Sequence, residues 1–543
     1  MATAQKLCNS SLASLRGTAA RAGGLALPGY DRSVLGAGIV HLGVGQFHRS
    51  HMAAYTDDAL AAGGAGARNW GICGVGLMPQ DEAMRDALRA QDHLYSLQTR
   101  AGGGAPTSAR VIGSHVENLF APADPQAVLA RLSAASTRII SLTVTEKGYG
   151  ADLAARQLDP TDAAIAHDLA TPGAPQSAVG FVAAAMRARW AAGLAPPTVL
   201  SCDNIQGNGE VLRELVSQFV LSAAKGSGSG GDAAELERWI RENGAFPNTM
   251  VDRITPGASA ADAAELAAAH GVEDAAPVSS EAFTQWVLEE NFVEHAGGGG
   301  GDDGYGGAGG ARPAWGGDAI FAPDVAPYEK MKLRLLNASH SCLAYAALLR
   351  GHELVHAAMA DGAVRGLVAA HMREAAPTVP PVPGVELGAY CETLVSRFAN
   401  EAVADSVLRL AEDGSMKMPG FLGGAVADAM AVAAPDQGLP AAELSLSCWM
   451  RCLVDVPEMK EPRVAELRPL AGAALEAAAS AAAVAAAGGT QGQLDAAVEA
   501  FLQQAMGPQI AAHTAFRAGI GAVLQDMQRE GPAACIERRV LDM

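Results

Sequence analysis

Between Lys332 and His340 the chain reads Lys-Leu-Arg-Leu-Leu-Asn-Ala-Ser-His, which sets an amine, an amide and an imidazole on what the pattern predicts to be one helix. At about 100° per residue, Asn337 lies roughly 60° from His340 and Lys332 roughly 80° from it, so all three leave one side. Glu329, one turn earlier, joins that side. A base beside two groups that can hold an oxygen is equipment for moving a proton on and off a hydroxyl or carbonyl. An amphipathic helix with a solvated polar stripe has the same pattern, so the rest of the chain must separate the two readings.

Such a helix needs a partner that binds the other reactant. Gly38 to Gly45 (Gly-Ile-Val-His-Leu-Gly-Val-Gly) reads as a short apolar strand running into glycines. Further strands are expected at Trp70 to Leu77, Arg138 to Thr145 and Thr198 to Cys202. Alanine-rich helical stretches such as Pro125 to Ala134 and Ala178 to Ala191 lie between them, and this alternation predicts a doubly wound parallel sheet. After about residue 325 strand signals fade. Helical patterns then dominate, including Met331 to Leu349, Tyr390 to Ala411 and Leu494 to Ala505. The expected class is α/β: a Rossmann-type domain over residues 1–321, then a mainly α-helical domain over 322–543.

Glycines at a first strand-to-helix turn let backbone approach a pyrophosphate at a helix N-terminus. Here the motif is Gly43-Val44-Gly45-Gln46-Phe47-His48, without the third glycine. The second strand ends near Gln80-Asp81, where Asp81 could accept hydrogen bonds from an adenosine ribose or simply cap a helix.

With 543 residues the chain exceeds one hydrophobic core. Its net charge of −19 argues against nucleic acid or an anionic membrane as partner. Small molecules are the natural ligands, and no apolar run reaches the ~18 residues of a membrane span. Eight scattered cysteines, with Cys448 and Cys452 spaced i,i+4, read as reduced thiols. The first thirty residues lack acidic side chains and carry Lys6, Arg16 and Arg21, a faint transit-peptide composition. Two glycine-rich segments, Lys225 to Gly231 and Gly297 to Gly310, read as surface insertions, and the alanine run Ala471 to Ala487 as helical filler. His352-Glu353-Leu354-Val355-His356 matches the zinc-protease pattern. It lacks an obvious third ligand downstream, so the expected reading is a helix with exposed polar residues and no metal.

Three more stretches could be turns or ligand loops: Thr145-Glu146-Lys147-Gly148-Tyr149, Ser201 to Gly209 (Ser-Cys-Asp-Asn-Ile-Gln-Gly-Asn-Gly), and Phe246 to Pro256 (Phe-Pro-Asn-Thr-Met-Val-Asp-Arg-Ile-Thr-Pro). Together with Leu27-Pro28-Gly29-Tyr30, Gly38 to His51, Glu281 to Leu288, Tyr328 to His340, and on to Arg409 and Lys417, they give a chain that resembles the mannitol dehydrogenase family over nearly its whole length. These are long-chain, zinc-independent polyol dehydrogenases and reductases.

The resemblance implies an NAD(H)-binding N-terminal domain, a helical domain that supplies the base, and an active site between them. It gives Lys332 the place of general base, Asn337 and His340 the places that hold the substrate oxygen, and Asn204 that of a further amide donor. Glu329 takes the place that gates proton exchange with water, and Asp252, Arg409 and Lys417 those that bind polyol hydroxyls. Gly43, Gly45, Phe47 and Asp81 are the cofactor-binding candidates. A lysine acts as base near neutral pH only where burial or neighbouring positive charge favours its neutral form. Lys6-Leu7-Cys8-Asn9 looks like the family's usual start, which weighs for the cytoplasm, and a monomer fits the family. Gln80 stands where an acidic residue can precede Asp81, which could relax discrimination against NADP; NAD remains the expected cofactor. The expected reaction is the metal-independent interconversion of D-mannitol and D-fructose. Hexuronate reduction and arabinitol oxidation are the alternatives within the family, and a non-catalytic binding protein is the remote one.

Overall fold

The apolar run ending in glycines forms β1 (Ala37–Leu42), buried at every position, and the chain turns at Gly43 into α1 (Gln46–Ser50) and α2 (Met52–Ala62). There follow β2 (Gly71–Gly76), α3 (Glu82–Ala90), β3 (His115–Phe120), α4 (Pro125–Ser133), β4 (Ile139–Leu142), α5 (Ala178–Ala191), β5 (Thr198–Ser201) and α6 (Asn208–Lys225). The five strands are parallel in the order β5-β4-β1-β2-β3, with Ile39 opposite both Ile72 and Ile139. The computed structural model describes residues 4–19, 24–64, 66–153, 155–225, 230–257, 259–294, 311–432, 438–483 and 491–543. The chain divides into two units, Met1–Ala326 and Pro327–Met543.

Neighbouring strand residues point to opposite faces. Val40, Ile140 and Val199 join one core with Phe181 of α5 and Leu215 of α6. Ile39, Ile139 and Leu200 join another with Met52 and Leu60 of α2. A sheet covered on both faces explains why these strands read as continuous apolar runs rather than alternating ones.

The four expected strands form, each giving up its last residues to a loop. The sequence reading missed β3 (His-Val-Glu-Asn-Leu-Phe), whose mixed composition suits the outer strand of the sheet. It also missed two three-stranded sheets: Tyr95–Arg100 with Ser108–Ile112 and Val278–Glu281, and Thr249–Asp252 with Gln285–Glu289 and Ala319–Ala322.

In the second unit, α7 (Ala326–Met331) runs through a π-helical segment, Lys332–Asn337, into α8 (Ala338–Leu349). Most of α8 is buried. It packs on α9 (Gly362–Ala375), on the short helix Val407–Ala411 and on α10 (Pro440–Asp455), so its apolar surface extends all round rather than along one stripe. The expected helix from Tyr390 to Ala411 is two, Leu387–Phe398 and Val407–Ala411. Between them Asn400 Oδ1 accepts from the Ala402 amide at 3.0 Å, a local side-chain turn that competes with helix. The alanine run lies in the helix Val464–Ala483, and its last four residues fall outside the described ones, as do Gly297 to Gly310 and residues 226–229 of the other glycine-rich segment.

Candidate active site

The turn after β1 has one position that only glycine fits. Gly43 sits at φ +92°, and a Cβ there would lie 2.2 Å from the Thr143 carbonyl oxygen. Its amide donates to Val75 O at 2.9 Å, tying the end of β1 to the end of β2. Gly45 caps α1, is exposed, and has open space where a Cβ would point. Phe47, half-buried, stacks on His51 with ring centroids 4.9 Å apart. Asp81 ends a short turn after β2, where its Oδ2 accepts from the amides of Leu77 and Met78, both at 2.9 Å. It thus holds the loop at the end of β2.

Behind this turn lies a buried histidine stack. The His41 ring lies 3.4 Å from that of His48, and His48 Nε2 is 2.9 Å from His115 Nε2. His41 Nδ1 meets Ser141 Oγ at 2.8 Å, and its Nε2 lies 3.1 Å from Gly43 O and 3.0 Å from Thr143 Oγ1. Burial holds His41 at about 3 and His48 and His115 well below the usual imidazole range. Depressed folded-state values give stability that is full above the unfolded value of 6.5 and is lost as pH falls towards 3. Asp203, pushed up to about 6 chiefly by burial, acts in the opposite sense between 3.8 and 6. Three imidazoles outweigh one carboxyl, so these groups should make the protein less stable as pH falls from 6 to 5. Urea unfolding at the two pH values checks this, and equal stability at both would refute it.

At the carboxyl edge of β4 and β5, Asp203 is the organising group. Its carboxylate accepts from the Val144 amide (3.1 Å), the Thr145 amide (2.9 Å) and Tyr149 Oη (3.0 Å). Those contacts hold Thr145 at φ +61°, an uncommon conformation for a β-branched residue and a mark of a functional loop. Asn204 follows, exposed to solvent. Asn208 links the neighbouring strand: its Nδ2 donates to Asp203 O at 3.1 Å and Thr249 O at 2.9 Å, and the Thr249 amide donates back to its Oδ1 at 2.9 Å. Asp252, 3% exposed, ends that strand.

In the second unit, Lys332 and Glu329 are each 5% exposed and Asn337 is 9% exposed. The Ala338 amide donates to Leu333 O, five residues back, so this stretch is wider than the expected α-helix. A five-residue hydrogen-bonded turn sets Lys332 nearly over Asn337, closer than the ~140° that α geometry would leave between them. Asn337 Oδ1 is buried without a hydrogen-bond partner among the described residues, an arrangement that costs about 1–3 kcal/mol unless a bound molecule supplies one. His340 packs on Phe398 at 4.3 Å between ring centroids. Lys417 Nζ donates to Leu410 O at 3.3 Å, while the Arg409 guanidinium grips both carboxylate oxygens of Asp405.

The His352 to His356 stretch corrects the helix expectation. Its helix starts only at Val355, Leu354 forms an isolated bridge with Ser406, and His352 Nε2 lies 2.9 Å from Asp361 Oδ2. The two histidines therefore do not share a helix face. Among the described residues, one grouping has the spacing for a metal, Asp526 with Glu530 and Cys535, but Asp526 is engaged by Arg529, Arg538 and Arg539. Two residues that the sequence reading passed over prove central to the architecture: Asp203 and Arg334. The one available signal for Arg334 was a charge inside an apolar helical run.

A doubly wound sheet with a glycine turn after its first strand, followed in the same chain by a helical unit with a buried lysine and amide, defines a Rossmann-type oxidoreductase. Models of the mannitol dehydrogenase Rossmann domain and C-terminal domain match residues 37–296 and 324–451. Mannitol 2-dehydrogenase of Pyrenophora tritici-repentis is 39% identical over 476 residues, 86% of this chain and 78% of that protein; that of Pyricularia oryzae is 38% identical, over 82% and 85%. Among solved structures, the ternary complex of Pseudomonas fluorescens mannitol 2-dehydrogenase with NAD and D-mannitol is 34% identical, covers 99% of this chain and 100% of that one, and gives a TM-score of 0.83. A substrate-free D-sorbitol dehydrogenase is 30% identical, covers 98% and 100%, and gives 0.75. The chain belongs to the mannitol dehydrogenase family.

Proposed function

We propose that the protein is an NAD-dependent polyol dehydrogenase that interconverts D-mannitol and D-fructose, with Lys332 as general base. The observation that carries this reading is the buried Lys332 and Asn337 pair with the half-buried His340 a turn further on, in a chain that matches the mannitol-bound Pseudomonas fluorescens enzyme end to end.

The residues present fit the cofactor. Gly43 leaves no room for a side chain at the turn, and Gly45 leaves open space above the start of α1, as a pyrophosphate requires. Gly43, Gly45 and Phe47 would hold the dinucleotide, with the Asp81 carboxylate at the ribose, where it disfavours an added 2′-phosphate. NAD, when bound, supplies the hydride acceptor.

Everything else falls to the chain's own side chains. Lys332 removes the hydroxyl proton as negative charge grows on the carbinol oxygen, and Asn337, His340 and Asn204 hold that oxygen. Glu329, one turn before Lys332, passes the proton on towards water. Asp252, Arg409 and Lys417 hold the remaining hydroxyls. No helix among the described residues is long and apolar enough to cross a membrane. The family resemblance also favours a monomer, and a cytoplasmic location completes the proposal.

NADH oxidation measured separately with fructose, fructuronate and xylulose tests the substrate, and repetition with NADPH tests the cofactor. Fructose with NADH should be the preferred pair. Clear preference for fructuronate would overturn the substrate, and preference for NADPH the cofactor.

A further inference from the structure

The π turn beginning at Lys332 is tied from outside at its middle residue. A return from five-residue to four-residue hydrogen bonding leaves one backbone carbonyl over. Next along from Leu333, the Arg334 carbonyl accepts from His371 Nε2 of α9 at 2.9 Å. His371 is 1% exposed. The Arg334 side chain, itself buried, reaches three other places: the carbonyl of Thr378, the carbonyl of Gly424 at 3.4 Å, and Asp428 Oδ2 at 2.5 Å.

Gly424 closes a second π segment, Pro419–Gly423, which packs against the first and follows directly on the helix that carries Lys417. Pro419 has no amide hydrogen to give to an α ladder, which gives that segment its own reason to widen. The first segment has no such residue. Lys-Leu-Arg-Leu-Leu-Asn is built largely from good helix formers and on its own favours the tighter α turn. Wide turns persist where surrounding structure over-determines them.

We infer that Arg334 is a positioning residue: through its tethers to Thr378, Gly424 and Asp428, and with His371 on its carbonyl, it holds the wide turn that sets Lys332 over Asn337. Release of the tethers lets the segment rewind to α geometry, where the amine and the amide stand about 140° apart around the axis, on either flank of His340 rather than one over the other. The inference rests on the reading of Lys332 as the base and adds what aims it. Arg334 itself touches neither substrate nor cofactor in this role.

The test measures kcat and both KM values for fructose reduction by NADH, together with the melting temperature, for Arg334→Met, His371→Leu, His371→Gln and Lys332→Ala. Glutamine can still donate to the Arg334 carbonyl and leucine cannot, so the pair separates the hydrogen bond from mere packing, and it carries the test if Arg334→Met does not fold. A displacement of about 1 Å in a reacting group costs on the order of 100-fold, so Arg334→Met and His371→Leu should lower kcat by roughly that factor with the KM for NADH within about twofold, while His371→Gln recovers most of it. Wild-type kcat in Arg334→Met, or a loss no larger than the loss of folded protein, overturns the inference. So does His371→Gln being as slow as His371→Leu. An inactive Lys332→Ala beside a normal Arg334→Met would sink the inference alone, whereas an active Lys332→Ala would sink the base assignment and leave Arg334 nothing to aim.

Discussion

Lys332→Ala should lower kcat by about 10³-fold, within the 10²–10⁴ range that a positioned base contributes, while NADH still binds. The reasoning separates the two effects. Lys332 belongs to the Pro327–Met543 unit, whereas the glycine turn assigned to the cofactor belongs to Met1–Ala326. Removing the amine takes away the group that receives the hydroxyl proton and leaves Gly43, Gly45 and Asp81 untouched. Tryptophan or NADH fluorescence titration reads the affinity, and single-turnover kinetics read the chemical step. Methylamine added to the variant should restore part of the rate, because a free amine supplies what the side chain lost. A near-normal rate without added amine would refute the assignment.

Gly43→Ala is the second large effect. The methyl group would stand 2.2 Å from Thr143 O at a φ of +92°, so the turn must move. The backbone penalty alone is about 1–3 kcal/mol. Displacement of the Thr143 carbonyl also disturbs the Thr143 hydroxyl, which donates to Gly43 O at 2.9 Å. Affinity for NADH should fall by roughly 100-fold, equivalent to about 2.7 kcal/mol, together with a lower melting temperature. Gly45→Ala is the informative partner. A Cβ there meets nothing within 4 Å and the backbone is extended, so the fold should hold while the methyl intrudes where the cofactor is proposed to lie. Unchanged NADH affinity in both variants would remove the cofactor from this turn.

The architecture of the sheet was legible because both faces are covered, which makes β1, β2, β4 and β5 read as uninterrupted apolar runs. The outer strand β3 and the two small mixed sheets were not, since their residues answer to one covered face and to partners far away in sequence. The helix carrying Lys332 was legible as a helix with its polar residues on one side. Its π geometry was not, and the reason is physical. Local preference there is ordinary α, while the wide turn is set by contacts from Arg334 to Thr378, Gly424, Asp428 and His371, between 37 and 94 residues away. Asp203 escaped notice because its importance lies in the amides it collects from a loop 58 residues earlier in the chain. His352 to His356 shows the converse: a five-residue pattern has no meaning until the helix it needs is present.

The parallel pairing at the centre of the sheet also sets an order of assembly. Ile39 lies opposite Ile139, so β1 waits for a long stretch of chain before its second neighbour exists. Closing such a loop costs entropy before any contact repays it, which makes parallel pairing slow. Some helices of the other unit meet elements near them in sequence, as Val464–Ala483 meets Gln491–Ala505, although Ala338–Leu349 also packs on Pro440–Asp455. During synthesis the half-made sheet therefore presents bare apolar strand edges around Ile39, Val40, Ile139 and Ile140 for the longest time. Changes that weaken strand pairing there should lower the yield of soluble protein well before they affect any property of molecules that do fold.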